Sequence, residues 1–385
     1  MTLSKSETDA LRAELGLVSR AYLRQARALS YRELRTNQDA PWASIAFGAA
    51  GIATALWWPG RSRRASKDLA IARRWLSSAT RGSRAKGAFG ISTFGEPNVD
   101  SSLYYGADGL RFLRLLFACG DRGKGALEPS VRSFLGRCRR RLGGPSELLQ
   151  GIAGTLTALV LLYRALGEPR VLRVADELAN DLLERAGGRW GWARASRLGF
   201  AHGRSGTFHA LLGWSLAAER ELPSGFFGHL ALLAEDVKRS GTLGAPSSSD
   251  PAEARALERS WCNGAAGLVL LWARAYQHTS DATYLRHARQ AARFILTHTD
   301  AAGGDLCCGL GGRAYALLAM DRVEPDRGWF DRAIVMASCA AGAMLEGGGP
   351  WPNGLYKGYP GLVCLGRDLL KDPSDRAGFP LVEAP

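Results

Sequence analysis

A seven-fold repeat of Gly-x-x-Gly is the feature of this sequence that most restricts its fold. The copies begin at Gly48, Gly106, Gly151, Gly203, Gly264, Gly309 and Gly358. Successive copies therefore start 45 to 61 residues apart. Repetition at such a period is typical of architectures that use one supersecondary unit per repeat. We expect seven similar units in this chain of 385 residues.

Each copy of the motif leads directly into a segment that is apolar around most of a helical circumference, as buried helices are. These predicted inner helices are residues 52–58, 110–118, 155–163, 207–216, 268–276, 313–320 and 362–370. The intervening segments have apolar residues at three- and four-residue spacing, which predicts helices buried on one side only. Examples are residues 66–80, 171–185, 226–238 and 282–299. With residues 3–29 as the first outer helix, the sequence predicts seven inner and seven outer helices, about 14 in all.

Seven helical hairpins bury all their inner helices when they close into a ring. An open solenoid would expose an end and need polar capping repeats, which the sequence lacks. We therefore predict an all-α fold, an α/α toroid of seven helical hairpins that forms a single domain over residues 1–385. The glycines lie where the inner helices begin, so the residues just before each motif should surround one central cavity.

The chain is strongly basic, with a formal net charge of +14. Its basic clusters are residues 61–64, 81–86 and 137–141. We interpret them mainly as solvated surfaces of outer helices and loops. The alternative is an acidic partner, a peptide or protein, because no nucleic-acid-binding motif accompanies the charge.

The sequence contains no apolar run of membrane-spanning length and no signal-peptide pattern at its N-terminus, so we expect a cytoplasmic protein without a transmembrane segment. Seven cysteines are few for a chain of this length, and an odd number cannot all be paired, so we do not expect a disulfide framework. The tail after Leu370 contains three prolines, and we expect it to close the chain without a further helix.

Three cysteines lie at equivalent ends of two repeats. Trp261-Cys262-Asn263-Gly264 opens the fifth unit, and Leu306-Cys307-Cys308-Gly309 opens the sixth. Three thiolates in tetrahedral geometry, with a fourth position open, are typical of a catalytic zinc site. A disulfide between Cys307 and Cys308 is the alternative, although it requires a strained ring.

The remaining cysteines are predicted to pack as small apolar residues of helices. They are Cys119, Cys138, Cys339 and Cys364.

These motifs resemble the LanC family of lanthionine synthetases, the zinc-dependent cyclases of lanthipeptide biosynthesis, and their LanC-like relatives. The resemblance covers about residues 44–370. It implies that Cys262, Cys307 and Cys308 bind one Zn²⁺ per chain. Family members commonly have Cys-His-Gly in the sixth repeat, and a branch of them has Cys-Cys-Gly as here.

The resemblance also implies a reaction and an acid–base group. The reaction is the addition of a cysteine thiol to dehydroalanine or dehydrobutyrine in a dehydrated precursor peptide, which gives lanthionine or methyllanthionine. A separate dehydratase would supply that peptide, because the seven repeats occupy this chain. His202 matches the family's histidine, and Glu147 stands where aspartate is usual. The family's arginine is displaced by one position, to Arg259, which is our candidate to stabilise the enolate oxygen.

Two other functions remain open at this stage. A LanC-like protein without cyclase activity would have the same ligands and would bind zinc and a thiol such as glutathione, or regulate a partner. Another α/α toroid enzyme, such as a glycosidase, would need two carboxylates across the cavity. The repeat ends offer only Glu147 and Asp305 for that role. A purely structural scaffold does not explain three thiols at matched repeat ends.

Overall fold

The computed structural model describes residues 3–58, 66–89, 102–119, 124–187, 198–240, 257–297, 303–325, 327–347 and 352–383. These residues form α-helices, turns and loops, without a strand. The inner helices are α3 (Ala49–Trp57), α5 (Ala107–Ala118), α7 (Ile152–Leu166), α9 (Arg204–Ala218), α11 (Ala265–Thr279), α13 (Leu310–Val323) and α15 (Tyr359–Leu369). The outer helices are α1 (Lys5–Ala28), α4 (Ser66–Gly82), α6 (Lys124–Arg139), α8 (Pro169–Gly187), α10 (Ser224–Arg239), α12 (Ala282–Leu296) and α14 (Trp329–Glu346). A short additional helix, α2 (Tyr31–Asn37), was not predicted.

The inner helices form a closed ring. Each packs against the next inner helix along the chain, and α15 returns to pack against α3. The first outer helix, α1, closes the outer layer against α14 and α15. The predicted toroid of seven inner and seven outer helices is therefore confirmed for the described residues.

The inner helices begin earlier than the sequence predicted. They start directly after the first glycine of each motif, which is the N-cap residue, so α7 runs over Ile152–Leu166 rather than 155–163. The second glycine therefore lies within the first helical turn. At all seven second glycines an added Cβ would lie 2.0 to 2.5 Å from the carbonyl oxygen of the residue six positions earlier. These glycines permit a close approach of loop and helix, and they do not mark where the helix begins.

The seven loops before the inner helices are joined into a closed belt of hydrogen bonds. The bonds measure 2.7 to 3.4 Å and run from Ala46 N to Tyr104 O, Ser102 Oγ to Leu149 O, Leu149 N to Ala201 O, Ala201 N to Cys262 O, Trp261 N to Cys307 O, Cys307 N to Tyr356 O and Tyr356 N to Ala46 O. The belt holds the residues around each glycine motif at one end of the ring.

The C-terminal tail, residues 376–383, fills the centre of the ring from the other end. The Phe379 ring stacks on Trp261 with centroids 4.5 Å apart. The hydroxyl groups of Tyr104 and Tyr356 donate hydrogen bonds of 3.0 Å to the carbonyl oxygens of Leu381 and Pro380. The tail adds only a 3₁₀ turn at Pro373–Asp375, as its prolines predicted, but its burial was not foreseen.

Most of the basic cluster at residues 137–141 is engaged within the protein. Arg137 pairs with Asp108 at 2.5 Å, and Arg139 pairs with Glu177 at 2.7 Å. Arg141 is buried and donates to the carbonyl of Gln150. The cluster at residues 61–64 lies outside the described residues. Among the helices that are described, none is long and apolar enough to cross a membrane.

Candidate functional site

The three predicted ligand cysteines meet at the belt end of the ring. Cys262 precedes α11, while Cys307 and Cys308 precede α13, and the amide groups of Trp261 and Cys262 both donate to the carbonyl of Cys307. The Cys308 Sγ lies 3.6 Å from the Sγ of Cys262 and 3.6 Å from that of Cys307. All three cysteines are free thiols, so the alternative disulfide is not formed.

The sulfur geometry fits a zinc ion. Zinc–sulfur bonds of about 2.3 Å in a tetrahedron place the sulfurs about 3.8 Å apart. The three sulfurs here all lie within 4.8 Å of one another. Three soft ligands leave one tetrahedral position for a substrate thiol. In the part of the chain that the structure describes, this is the one group of metal-ligating side chains that meets at such distances.

Other buried cysteines lie away from this group. Cys138 and Cys364 are buried, as predicted for packing residues, and Cys119 is partly buried. Cys339 is exposed on the outer helix α14, so the prediction that it packs in the core was wrong. Its neighbours on the helix supply the packing, since Ala337 and Ala340 are buried on either side of it.

A lysine that the sequence analysis left without a role contacts the thiols. Lys357 Nζ donates to Cys308 Sγ at 3.0 Å. Burial acts to lower the pKa of Lys357, but the nearby charges of Cys307, Asp305 and Cys308 raise it above its ordinary value. Hydrogen bonds from Cys262 and Cys307, together with the ammonium group, lower the pKa of Cys308. Lys357 directly precedes the seventh glycine motif, as Cys308 precedes the sixth, so the repeat register could have identified it.

Asp305 positions the two adjacent cysteines. Its Oδ1 accepts the backbone N–H of Cys307 at 2.8 Å and that of Cys308 at 2.9 Å. Burial raises the pKa of this carboxyl group. The carboxylate therefore fixes the loop that carries two of the three sulfurs.

His202 and Glu147, the two predicted acid–base residues, are in contact. The His202 Nδ1 lies 2.9 Å from Glu147 Oε2, and the two side chains are 23% and 16% exposed. Glu147 also accepts the backbone N–H groups of Leu149 and Gln150, so its carboxylate is fixed at the start of α7. Since a carboxylate accepts, Nδ1 carries the proton and Nε2 is left free to exchange one. Ala201, the residue before His202, donates to the carbonyl of Cys262 and so joins the two groups.

Tyr105 is close enough to both the thiols and Glu147 to feel their charges. Burial, followed by the negative charges of Cys307 and Glu147, raises its pKa well above the ordinary value. Its ring stacks on Phe47 with centroids 5.5 Å apart. Both aromatic residues directly precede glycine motifs, so they occupy the same repeat position as His202 and Cys308.

Arg259 is placed against an outer helix. Its guanidinium carbon lies 4.9 Å from the centroid of the Phe294 ring on α12. Lys357 is a cation at hydrogen-bonding distance from a ligand sulfur.

The carboxylates that a glycosidase would need are both engaged elsewhere. Glu147 holds His202, and Asp305 holds the backbone of the cysteine loop. Both carboxylates are therefore held by contacts within the histidine and thiol groups.

Comparison with known proteins agrees with this geometry. The family of lanthionine synthetase C-like proteins matches residues 43–382. A curated relative, "Glutathione S-transferase LANCL1" of Danio rerio, is 25% identical over 340 residues, covering 76% of this chain and 80% of the relative. Among solved structures, nisin cyclase matches with a TM-score of 0.69 and 15% identity over 94% of this chain and 97% of its own.

The match over most of the chain shows that this protein belongs to the lanthionine synthetase C-like family. The likeness to nisin cyclase shows the fold, a helical toroid, at a level of identity that does not carry activity with it.

Proposed function

We propose that this protein is a zinc-dependent lanthipeptide cyclase that adds peptide cysteine thiols to dehydroalanine or dehydrobutyrine, forming thioether rings. The observation that carries the proposal is the meeting of three free thiols, one lysine and a carboxylate-held histidine at one end of the ring. Membership of the family supports the same chemistry.

Zinc held by Cys262, Cys307 and Cys308 would lower the pKa of a substrate thiol, so that a thiolate is present at neutral pH. His202 takes up the proton that the thiol loses, through the Nε2 that Glu147 leaves free. The sulfur attacks the β-carbon, the carbon–carbon π bond breaks, and an enolate forms. His202 then returns the proton to Cα, so the addition is balanced and consumes no other reactant.

The three thiolates concentrate negative charge at the sulfurs, and Lys357 is positioned to offset it. We also keep Arg259 as a proposed stabiliser of the enolate oxygen, although its recorded stacking on Phe294 supports a packing role instead. Substituting Arg259 with Lys, which preserves charge but removes the planar stack, separates these roles. The substrate would be a dehydrated precursor peptide produced by a separate dehydratase in the cytoplasm.

A second candidate function is the addition of glutathione, or another free thiol, to an electrophile. The relative named as a glutathione S-transferase supports it. The site chemistry is the same, because both reactions need a thiolate and a proton returned to carbon. They differ in whether the thiol and its acceptor belong to one molecule.

A single competition assay separates these functions. The zinc-loaded protein is incubated with a dehydrated peptide that contains its own cysteine, with and without glutathione, and free thiols are alkylated before mass spectrometry. A cyclase yields peptide that no longer alkylates and carries no glutathione adduct. Glutathione adducts that form in preference to rings identify the second function. If neither product forms, both proposed functions are rejected.

A control distinguishes catalysis from spontaneous addition. The Cys262→Ala protein should leave only the background rate, since two protein ligands ordinarily hold zinc poorly. Equal product from this variant and the unsubstituted protein would show that the rings form without the proposed site.

A further inference from the structure

We propose that Lys357 is a catalytic residue that binds the carbonyl oxygen of the dehydroamino acid and stabilises the enolate formed there. The inference rests on the proposed function and extends it to the acceptor half of the addition. The thiol half has three sulfurs that can hold a metal, and His202 can carry the proton. The oxygen that gains negative charge also needs a donor, and Lys357 would act there alongside Arg259, the other group proposed for this oxygen.

Lys357 lies at the thiol site itself. Its Nζ is 3.0 Å from Cys308 Sγ. It directly precedes a glycine motif, as Cys308 and His202 do, and the belt of hydrogen bonds holds these loops at one end of the ring. The backbone N–H of Cys307 donates at 2.9 Å to the carbonyl of Tyr356, the residue before the lysine. The lysine is therefore held beside the loop that carries two of the three sulfurs.

The ammonium group of Lys357 can bind more than one acceptor. An ammonium group carries three N–H donors. Among the described residues, Cys308 Sγ is the acceptor that the structure records for it, which leaves two donors for a substrate. Both side chains belong to partly exposed residues. A substrate that reaches this sulfur therefore also reaches the lysine.

This position suits the acceptor of a thiol addition. Reacting atoms in a near-attack arrangement lie about 3 to 3.5 Å apart, and the carbonyl oxygen is three bonds from the β-carbon that the sulfur attacks. When the sulfur–carbon bond forms and the carbon–carbon π bond breaks, an electron pair moves onto that oxygen. Lys357 donates a hydrogen bond to the oxygen and keeps its own proton. The carbonyl forms again when Cα receives the proton from His202, so the step consumes nothing else.

A lysine that only offsets the charge of the sulfurs would have a different effect. It would change the reactivity of the bound thiol towards every electrophile. A lysine at the enolate oxygen affects only the acceptors that form an enolate. Methyl iodide reacts with a thiolate by displacement of iodide, without an enolate, so its reaction distinguishes the two roles.

The test compares two reactions of one substrate cysteine in zinc-loaded Lys357→Met and Lys357→Arg, with the protein in excess. A dehydrated peptide reports ring formation, and the same peptide with alanine at the dehydrated position reports methylation by methyl iodide, relative to the peptide alone. Mass spectrometry measures both rates, and atomic emission measures zinc. Lys357→Met should slow ring formation by a factor of about 10² to 10³, the usual effect of losing one oxyanion donor, with methylation and zinc content unchanged. Lys357→Arg should lose less, since arginine is also a charged donor.

Lys238→Met is the matched control, because Lys238 is an exposed lysine in the last turn of the outer helix α10. It should leave both rates unchanged. An unchanged rate of ring formation in Lys357→Met overturns the proposal. An equal loss in both reactions, or loss of zinc, also overturns it, because either result would restrict the lysine to the sulfurs and the metal. Failure of the proposed function looks different, since the unsubstituted protein would then form neither rings nor glutathione adducts, and the proposal would fall with it.

Discussion

The two ends of the ring use the same helices for different purposes. At the end where the inner helices begin, the belt of loops carries the thiols, Lys357 and the His202–Glu147 pair. Towards the other end the tail fills the centre, and its Phe379, Leu381 and Val382 are almost fully buried. One end therefore carries the reactive groups, while the other provides packing that closes the core.

At the belt end, each repeat keeps the glycines that its backbone needs, while the residue before them differs from repeat to repeat. The same backbone position, directly before the first glycine, is occupied by Phe47, Tyr105, Gln150, His202, Asn263, Cys308 and Lys357. The glycines are required in every copy by the close approach of the loop, whereas the preceding residue is free to vary. Substitutions at the belt should therefore remove activity and leave the fold, and substitutions that disturb packing should do the reverse.

The largest expected effect is loss of the metal from Cys262→Ala. Two remaining cysteine ligands should hold zinc poorly. Cys364→Ala is the matched control, because Cys364 is fully buried on the inner helix α15 yet lies outside the thiol group. Zinc per chain, measured by atomic emission after desalting, should fall from one towards zero only in the first variant. Cys308→His should retain zinc, since histidine is also a zinc ligand. If Cys262→Ala retained one zinc per chain, Cys262 would not be a required ligand, and the functional difference between the two ends of the ring would lose its main support.

A second prediction separates proton transfer from metal binding within the belt end. His202→Asn should keep zinc and slow cyclisation by a factor on the order of 10² to 10⁴, the usual contribution of a general acid or base. Glu147→Gln should cause a smaller loss, because it only orients the imidazole. Single-turnover rates on one dehydrated peptide measure both. A larger loss in Glu147→Gln would identify the glutamate as the acid–base residue. An unchanged rate in His202→Asn would show that another group transfers the proton.

Glycine substitutions test why the second glycine of each motif is needed. We attribute it to the close approach of the preceding loop, and not to any preference of the helix for glycine. A Cβ at Gly154 would lie 2.0 Å from Leu148 O, so Gly154→Ala must move the backbone. We expect the free energy of unfolding to fall by about 3 kcal/mol or more. Gly228→Ala on α10 should raise it by about 0.5 to 1 kcal/mol, because alanine is the better helix former. Urea denaturation measures both changes, and similar values for the two variants would contradict the packing argument.

The smallest effect concerns pH and the tail end of the ring. Asp368 on α15 is fully buried and accepts hydrogen bonds from Ala377 N at 3.0 Å and from Tyr315 at 3.2 Å. Burial raises its pKa from 3.8 to about 6. Because the folded protein binds this proton more tightly than the unfolded chain, protonation at low pH favours the fold. This contribution is lost as the pH rises from about 4 to 6.

Asp368→Asn removes that proton equilibrium. The difference in unfolding free energy between the two proteins should therefore change by about 2 kcal/mol between pH 4 and 6, in the direction that favours the unsubstituted protein at pH 4. Zinc content should stay the same. A difference that does not vary with pH would show that the pKa of Asp368 is the same in the folded and the unfolded protein.

The sequence predicted what the repeat register controls, and it missed what depends on contacts between distant residues. The glycine motifs gave the ring and placed the three cysteines and His202 at one end, because equivalent repeat positions converge. Phe379 is buried against Trp261, which lies more than a hundred residues earlier in the chain, and no local sequence pattern predicts that contact. The role of Arg259 stays a prediction, and its contact with the Phe294 ring is another long-range contact that the motif alone does not show.

The threading of the tail through the ring has a consequence for how the chain folds during synthesis. The N-terminal helix makes its contacts with the far end of the sequence, where Leu3 N bonds to Asp331 at 3.1 Å and Tyr22 bonds to Asn353 at 3.0 Å. Residues 376–383 follow every α-helix along the chain, so they are the last of the described parts to leave the ribosome. Until then seven apolar helices lack their central partner, and closing contacts of such sequence separation is slow. A nascent chain of this protein should therefore depend on protection from aggregation until residues 376–383 are released.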